Sequence, residues 1–275
     1  MTNHLTKSLL AIFLFAVTFA SCTKDEEGDP TDEFQTPTEI SLSNSTIYEK
    51  LPEGSVVAFL SSDVSEPGMQ YKFTAGEGDS DNNDFKINGT TLSTNSVLQF
   101  SDGATRSIRV QVVNGTKTLE KAAVITVNEF TGTYPSISSP SFEDDGQMPS
   151  EFGGDNENIS PDLDIMDIPD NTETMALTMI DLDFSDAWHW AVWNIPATKT
   201  SINKNQVWTG GAVVGDVDFG SGYVGPFPPS EHRYKISVYF LDSSLDLNGS
   251  EYKLLPKAVA GKTIAQASMI GRFTP

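Results

Sequence analysis

Apolar and polar residues alternate over much of the chain. Ile108, Val110 and Val112 occupy every second position, and Ala123, Ile125 and Val127 repeat the pattern. A period of two marks a strand with one buried face. Three further runs read as strands: 174–181 (TMALTMID), 188–195 (WHWAVWNI) and 233–241 (RYKISVYFL). Asn88-Gly89, Asp102-Gly103 and Asn114-Gly115 stand between such runs and signal hairpins, since both residue types tolerate the left-handed backbone of tight turns. Helical periodicity is scarce. The segment 256–268 (PKAVAGKTIAQAS) holds at most one short helix before a last strand. The pattern predicts an all-β protein.

The alternation breaks at the start of the chain. Leu9 to Phe19 is an apolar run, interrupted only by Thr18 and preceded by Lys7, too short to span a bilayer and of the length of a signal-peptide core. It leads into Phe19-Ala20-Ser21-Cys22, which resembles the lipobox of bacterial lipoproteins. The expectation is a lipoprotein signal peptide over 1–21, with cleavage before Cys22 and lipid on that residue. Cys22 is the only cysteine, so no intramolecular disulfide can form. The following Thr23-Lys24-Asp25-Glu26-Glu27 resembles the acidic export tag of lipoproteins from the Bacteroidetes group, which implies display at the outer membrane or cell surface. Residues 22–36 read as an acidic tether. A first β domain over 37–130 is expected, then a small, polar, proline-marked linker over 131–141 and a second β domain over 142–275.

Charge narrows the partners. Without residues 1–21 the chain keeps 16 basic and 38 acidic residues, a formal charge of −22. Nucleic acids and anionic membranes bind through basic patches, so neither is an expected partner.

Chemistry concentrates in the second domain. His4 lies in the signal peptide, which leaves His189 and His232 as the imidazoles of the mature protein. Asp181 and Asp183, two apart at a strand end, are expected to share one face. His232 and Tyr234 share a face beyond the run Gly222-Tyr223-Val224-Gly225-Pro226-Phe227-Pro228-Pro229. Two imidazoles, a phenol and glycine-turn amides supply donors for a small anion. Arg233 faces the other way and is expected to pair with a buried acid. No nucleophile accompanies these groups: there is no further cysteine and no Gly-x-Ser-x-Gly elbow. The expectation is a binding protein, not an enzyme.

These residues also carry a resemblance. Asp-x-Asp at 181–183, His-Trp-x-Val-x-Asn-Ile-Pro from His189, Gly-Tyr-x-Gly-Pro-x-Pro-Pro from Gly222 and His-Arg-Tyr from His232 occur in the order of the phosphatidylethanolamine-binding protein (PEBP) family. Asn158-Ile159-Ser160-Pro161, Leu163, Leu241-Asp242 and Ala265-Gln266-Ala267 extend the likeness to its bacterial Raf-kinase-inhibitor-like branch. It covers about 142–275 and implies a PEBP-like β fold with a large antiparallel sheet and an anion pocket. By resemblance the pocket takes Asp181, Asp183, His189, Gly225, Pro228, His232 and Tyr234. His189 and Tyr234 are then anion donors, His232 a wall, and Asp181 the partner of a histidine or of a ligand amine. Three departures stand out. Asp181-Leu182-Asp183-Phe184-Ser185 lacks the family's two prolines, the segment before His189 is short, and Glu231 adds an acid beside the site.

The first domain resembles a cadherin repeat. Ile47-Tyr48-Glu49-Lys50-Leu51-Pro52-Glu53-Gly54-Ser55 and Tyr71-Lys72-Phe73 with Asp84-Phe85-Lys86-Ile87-Asn88-Gly89 carry that likeness, which implies a Greek-key β-sandwich. Cadherin repeats bind calcium. Glu49, Asp79, Asp81 and Asp84 are the candidate ligands, against a solvated acidic loop, because the other segments of such a site are missing. No other cofactor is expected. The leading functional expectation is a surface lipoprotein whose second domain binds a small anionic or phosphorylated molecule such as a phospholipid head group. The alternative is a calcium-dependent adhesion or protein-interaction module at the cell surface.

Overall fold

The computed structural model describes residues 34–275, which form one compact unit. The signal peptide, Cys22 and most of the acidic tether lie outside the described residues. No helix among the described residues is long and apolar enough to cross a membrane.

Residues 40–128 build two four-stranded sheets. One has the order Ile40–Leu42, Val56–Ser62, Thr91–Thr94, Phe85–Asn88. The other runs Thr46–Tyr48, Lys117–Asn128, Thr105–Asn114, Gln70–Phe73. Both contribute to one core: Ile40, Val57 and Leu92 from the first meet Ile108, Val112 and Ile125 from the second. This is the sandwich that the cadherin-like resemblance implies. Along Thr105–Asn114 every second residue is buried, as the alternation predicts. Gly115, at φ +57°, closes the two-residue turn between the two longest strands of this sandwich, and Gly89 turns the Phe85–Thr94 hairpin. Asp102-Gly103 makes no hairpin. It ends a short 3-10 turn, Phe100–Asp102, that feeds Thr105–Asn114.

Arg106 breaks the apolar row yet is only 4% exposed. Its guanidinium donates to Asp84 Oδ2 at 3.0 Å and to the carbonyls of Gly103 and Gln99 at 2.6 and 3.0 Å. One planar fork thus ties the end of the sandwich to the loops that cross it.

The second part is built on a six-stranded sheet ordered Gly146–Gln147, Thr263–Phe273, His232–Leu241, Thr174–Asp181, Ala187–Pro196, Val213–Val214. Its pairs are antiparallel except the first. A small sheet, Ser201–Ile202, Leu163–Met166, Ser136–Ser138, covers one face. Leu163 and Ile165 from it pack against Met175, Leu177, Ile236 and Phe240. Helix Leu255–Val259 covers part of the other face, where Leu255 and Val259 meet Ala176, Trp193 and Leu241. Burial on both faces explains why these strands read as nearly continuous apolar runs. The helix is shorter than the 256–268 segment: it ends before Gly261, at φ +76°, and the last strand starts at Thr263.

The stretch 131–141 is more than a connection. Ser136–Ser138 joins the small sheet, and Tyr134 donates its hydroxyl to the Lys50 carbonyl at 3.0 Å. Glu49, 6% exposed, accepts from the amides of Phe100 and Phe130 at 2.9 and 3.2 Å.

Replacing Arg106 by Met leaves the Gly103 carbonyl and the Asp84 carboxylate without this donor and the Gln99 carbonyl with the Asp102 amide alone. The expected cost is roughly 2–4 kcal/mol of stability, read as a lower urea midpoint at unchanged slope.

Candidate functional site

Strand Thr174–Asp181 pairs with His232–Leu241 so that Asp181 lies opposite Tyr234. Asp181 and Tyr234 are 3% and 1% exposed, and both line one open cavity of about 170 Å³. His189, His232 and Pro228 complete the part of its wall that the sequence picks out. The cavity is smaller than the roughly 300–1,000 Å³ of drug-sized sites, so it has room for a small group and not for a whole ligand of that class.

Each polar group has a fixed orientation. His232 Nδ1 donates to Asp181 Oδ2 at 2.8 Å, and the other Asp181 oxygen accepts the Asp183 amide at 2.9 Å. His189 Nδ1 donates to the Val224 carbonyl at 2.7 Å, while the Val224 amide donates back to the His189 carbonyl at 2.9 Å. Both imidazoles therefore carry their hydrogen on Nδ1, and in the neutral form each keeps a lone pair on Nε2. Burial holds the His189 pKa below the usual histidine value, against the pull of the Val224 carbonyl and Asp181. Burial, followed by the Asp181 carboxylate, raises the Tyr234 phenol, so its hydroxyl stays a donor.

His189 reaches this place through a bulge. Met179 pairs with Trp190 and Ile180 with Trp188, so His189 is the extra residue of its strand. Bulges re-aim side chains in this way next to sites. The residue is 2% exposed, with Phe219, Phe227 and Tyr234 rings at 5.0, 5.9 and 5.1 Å.

Several expected site residues lie elsewhere. Asp183 does not share a face with Asp181, because the strand ends at Asp181 and Asp183 belongs to the following turn. It faces solvent and accepts the Arg233 amide and the Nε and Nη2 hydrogens of its guanidinium at 2.7–3.0 Å. That pairing lowers its pKa to about 2. Arg233 thus pairs with an acid as expected, though with an exposed one. Gly225 is outside the cavity wall. A Cβ there would lie 2.0 Å from the Phe152 carbonyl, and its amide donates to Asn158 at 2.7 Å, so it fixes the loop that carries Val224 and Pro228. Glu231 points away and pairs with Arg272 at 3.1 Å.

The lining also includes Phe184, Phe219, Phe227 and Pro229, which the sequence reading left out of the site. Phe227 had a signal, its place between prolines. Phe219 had none, since it rides the hairpin Asp216–Ser221, held by Asp218 to the Trp188 amide and the Tyr252 hydroxyl. In place of the family's prolines, the 182–186 turn uses Ser185 and Asp186 at φ +51° and +52°.

The candidate calcium ligands are not brought together. Glu49 is bound to backbone amides and to Lys50 at 3.1 Å. Asp84 is on Arg106, Asp79 accepts the Gly76 amide at 2.9 Å, and Asp81 accepts the Ser107 amide at 2.6 Å. Among the described residues no cluster of three or more His, Cys, Asp or Glu is arranged to hold a metal.

Comparison with known proteins places this geometry. Residues 138–274 match the family described as phosphatidylethanolamine-binding protein. The UPF0098 protein of Methanothermobacter thermautotrophicus is 37% identical over 146 residues, which are 50% of this chain and 97% of that protein. The chain belongs to the phosphatidylethanolamine-binding protein family. The Mycobacterium tuberculosis protein named "Putative lipoprotein LppC" is 30% identical over 143 residues, 50% of this chain and 71% of LppC. The crystal structure of Escherichia coli YbcL, described as a member of the mammalian PEBP family, aligns at 27% identity and a TM-score of 0.48, covering 52% of this chain and 99% of YbcL.

The PEBP-family pocket couples stability to pH. Because His189 has a folded-state pKa below its unfolded value of about 6.5, the unfolded chain binds its proton first. The neutral-His189 contribution is full above about pH 6.5 and is lost as pH falls from there toward the folded value. His189→Gln removes this acid-side loss, so the wild-type minus variant difference in urea midpoint should change between pH 8 and pH 5.5.

Proposed function

We propose that residues 142–275 bind a small phosphorylated ligand, such as a phosphate monoester or phospholipid head group, among Asp181, His189, Pro228, His232 and Tyr234. We further propose that the chain is a lipoprotein held at the outer membrane or cell surface through Cys22. The observation that carries the first reading is the convergence of the Asp181–His232 pair, buried His189 and Tyr234 on one small open cavity. Beside it, Pro226, Pro228 and Pro229 have no amide hydrogen. Phe227 holds the one N–H of that run, and it has no protein acceptor among the described residues.

This donor set implies proton-coupled binding. Tyr234 and the Phe227 amide donate at any physiological pH. A neutral imidazole offers only its Nε2 lone pair, which accepts from a P–OH. A proton taken up there turns it into a donor for a phosphate oxygen. Either way the complex holds more protons than a free phosphate dianion beside an empty pocket with a neutral His189. Affinity for phosphoethanolamine should therefore rise as pH falls from 8 to 5.5, with net proton uptake. Calorimetry in two buffers of different ionisation enthalpy measures this. His189→Ala should weaken binding at pH 5.5 by about tenfold, the ~1.4 kcal/mol of one charge-assisted hydrogen bond. Binding that is equal in wild type and variant at both pH values sinks the assignment.

Support for anchoring comes from the Phe19–Cys22 motif and from a relative that bears the name lipoprotein. Each buried acyl methylene contributes about 0.8 kcal/mol. Cells fed labelled palmitate should label the wild type and leave Cys22→Ser unlabelled and free of the membrane fraction. Equal labelling of both would refute lipidation at Cys22.

A further inference from the structure

The rim of the cavity has a composition that a phosphate alone does not explain. Nine large hydrophobic residues are exposed among those described, and the three aromatic ones, Phe184, Phe219 and Phe227, all line this cavity. They are 55%, 40% and 43% exposed although they come from three separate loops. Phe219 lies 6.5 Å from Phe184 and 4.9 Å from Phe227, nearly perpendicular to the latter, so the rings form a continuous arc. No Lys or Arg lines the cavity among the described residues. The one lining carboxylate, Asp181, sits deep with both oxygens engaged.

Resting on the phosphate reading above, we infer that the ester substituent is a quaternary ammonium, so that the ligand is of the phosphocholine class. A phosphate at the imidazoles directs its substituent out past the rings. A sugar or glycerol there has hydroxyls without partners. A primary ammonium has three strongly hydrated N–H groups, and the rim offers them no free carboxylate, so burying them is costly. A trimethylammonium group has no N–H to satisfy, presents methyl surface to the phenyl rings, and gains from their negative faces.

The test is calorimetry on the full chain in maltoside micelles, which carry neither phosphate nor choline. Inorganic phosphate, phosphoethanolamine and phosphocholine are titrated at one pH. Phosphocholine should bind about tenfold more tightly than either of the others, a difference within the range of desolvated cation–π contacts. Phe184→Leu and Phe219→Leu keep apolar surface but remove the rings. Each should erase most of that advantage, read as the ratio of phosphocholine to inorganic phosphate affinity within the same variant. Vesicles of phosphatidylcholine and phosphatidylethanolamine separate the sources. A preference confined to vesicles and lost in the Leu variants assigns the ligand to a lipid, whereas one seen with the free ester assigns it to a soluble molecule. Phosphate binding with no choline preference in either arm overturns this inference alone. Absence of binding by every ligand, inorganic phosphate included, overturns the phosphate reading with it.

Discussion

The register between Thr174–Asp181 and His232–Leu241 is the constraint on which the site depends. With Asp181 opposite Tyr234, the row Tyr234, Ile236, Val238 and Phe240 enters the main core and His232 reaches Asp181. A slip of one residue turns that row onto the other face. Magnitudes show which end holds which. Four buried side chains of this size contribute about 1.5–3 kcal/mol each, whereas a single hydrogen bond contributes about 1 kcal/mol net. The core therefore fixes the register, and the Asp181–His232 pair is placed by it. The pair adds orientation, not stability.

His189 depends on a second device. Regular pairing beside Trp188 and Trp190 offers no reason for an imidazole to turn into the cavity, and the bulge provides one. The opposing loop is held as firmly. Gly225 packs against the Phe152 carbonyl where no side chain fits, its amide is taken by Asn158, and Val224 clasps His189 at both its amide and carbonyl. Preorganisation of this kind lowers the cost of binding, because the donors are ordered before the ligand arrives.

The sequence made legible whatever follows from period and order. Alternation predicted the Thr105–Asn114 and Lys117–Asn128 strands and their Asn114-Gly115 turn, and ordered motifs predicted a second β part with Asp181, His189, His232 and Tyr234 in one pocket. What it missed depends on three-dimensional details that leave no local trace. The strand ends at Asp181, two residues before Asp183, so the two carboxylates do not share a face. Asp102-Gly103 has the composition of a hairpin turn but serves a 3-10 turn, because the preceding residues fold back and do not pair. The acidic run near Asp79–Asp84 reads as cation ligands by composition, while its oxygens are spent on Ser107, Gly76 and Arg106. Phe219 is invisible because a short hairpin brings it to the rim from outside every recognisable motif.

One apparent contradiction remains, between an acidic chain and an anion in its pocket. At physiological ionic strength the screening length is about 8 Å, so the field at the cavity comes from its near neighbours and not from the total of −21. Those neighbours are largely paired. Arg233 takes Asp183, and Arg272 takes both Glu231 and Asp145. Neither arginine lines the cavity, and their two charges offset two of these three carboxylates. Within the cavity, Asp181 shares its charge with the His232 hydrogen and the Asp183 amide. The local site is thus far less acidic than the chain that carries it. An anion can then be held by a few fixed donors, because the acidic surface beyond the screening length hardly reaches it.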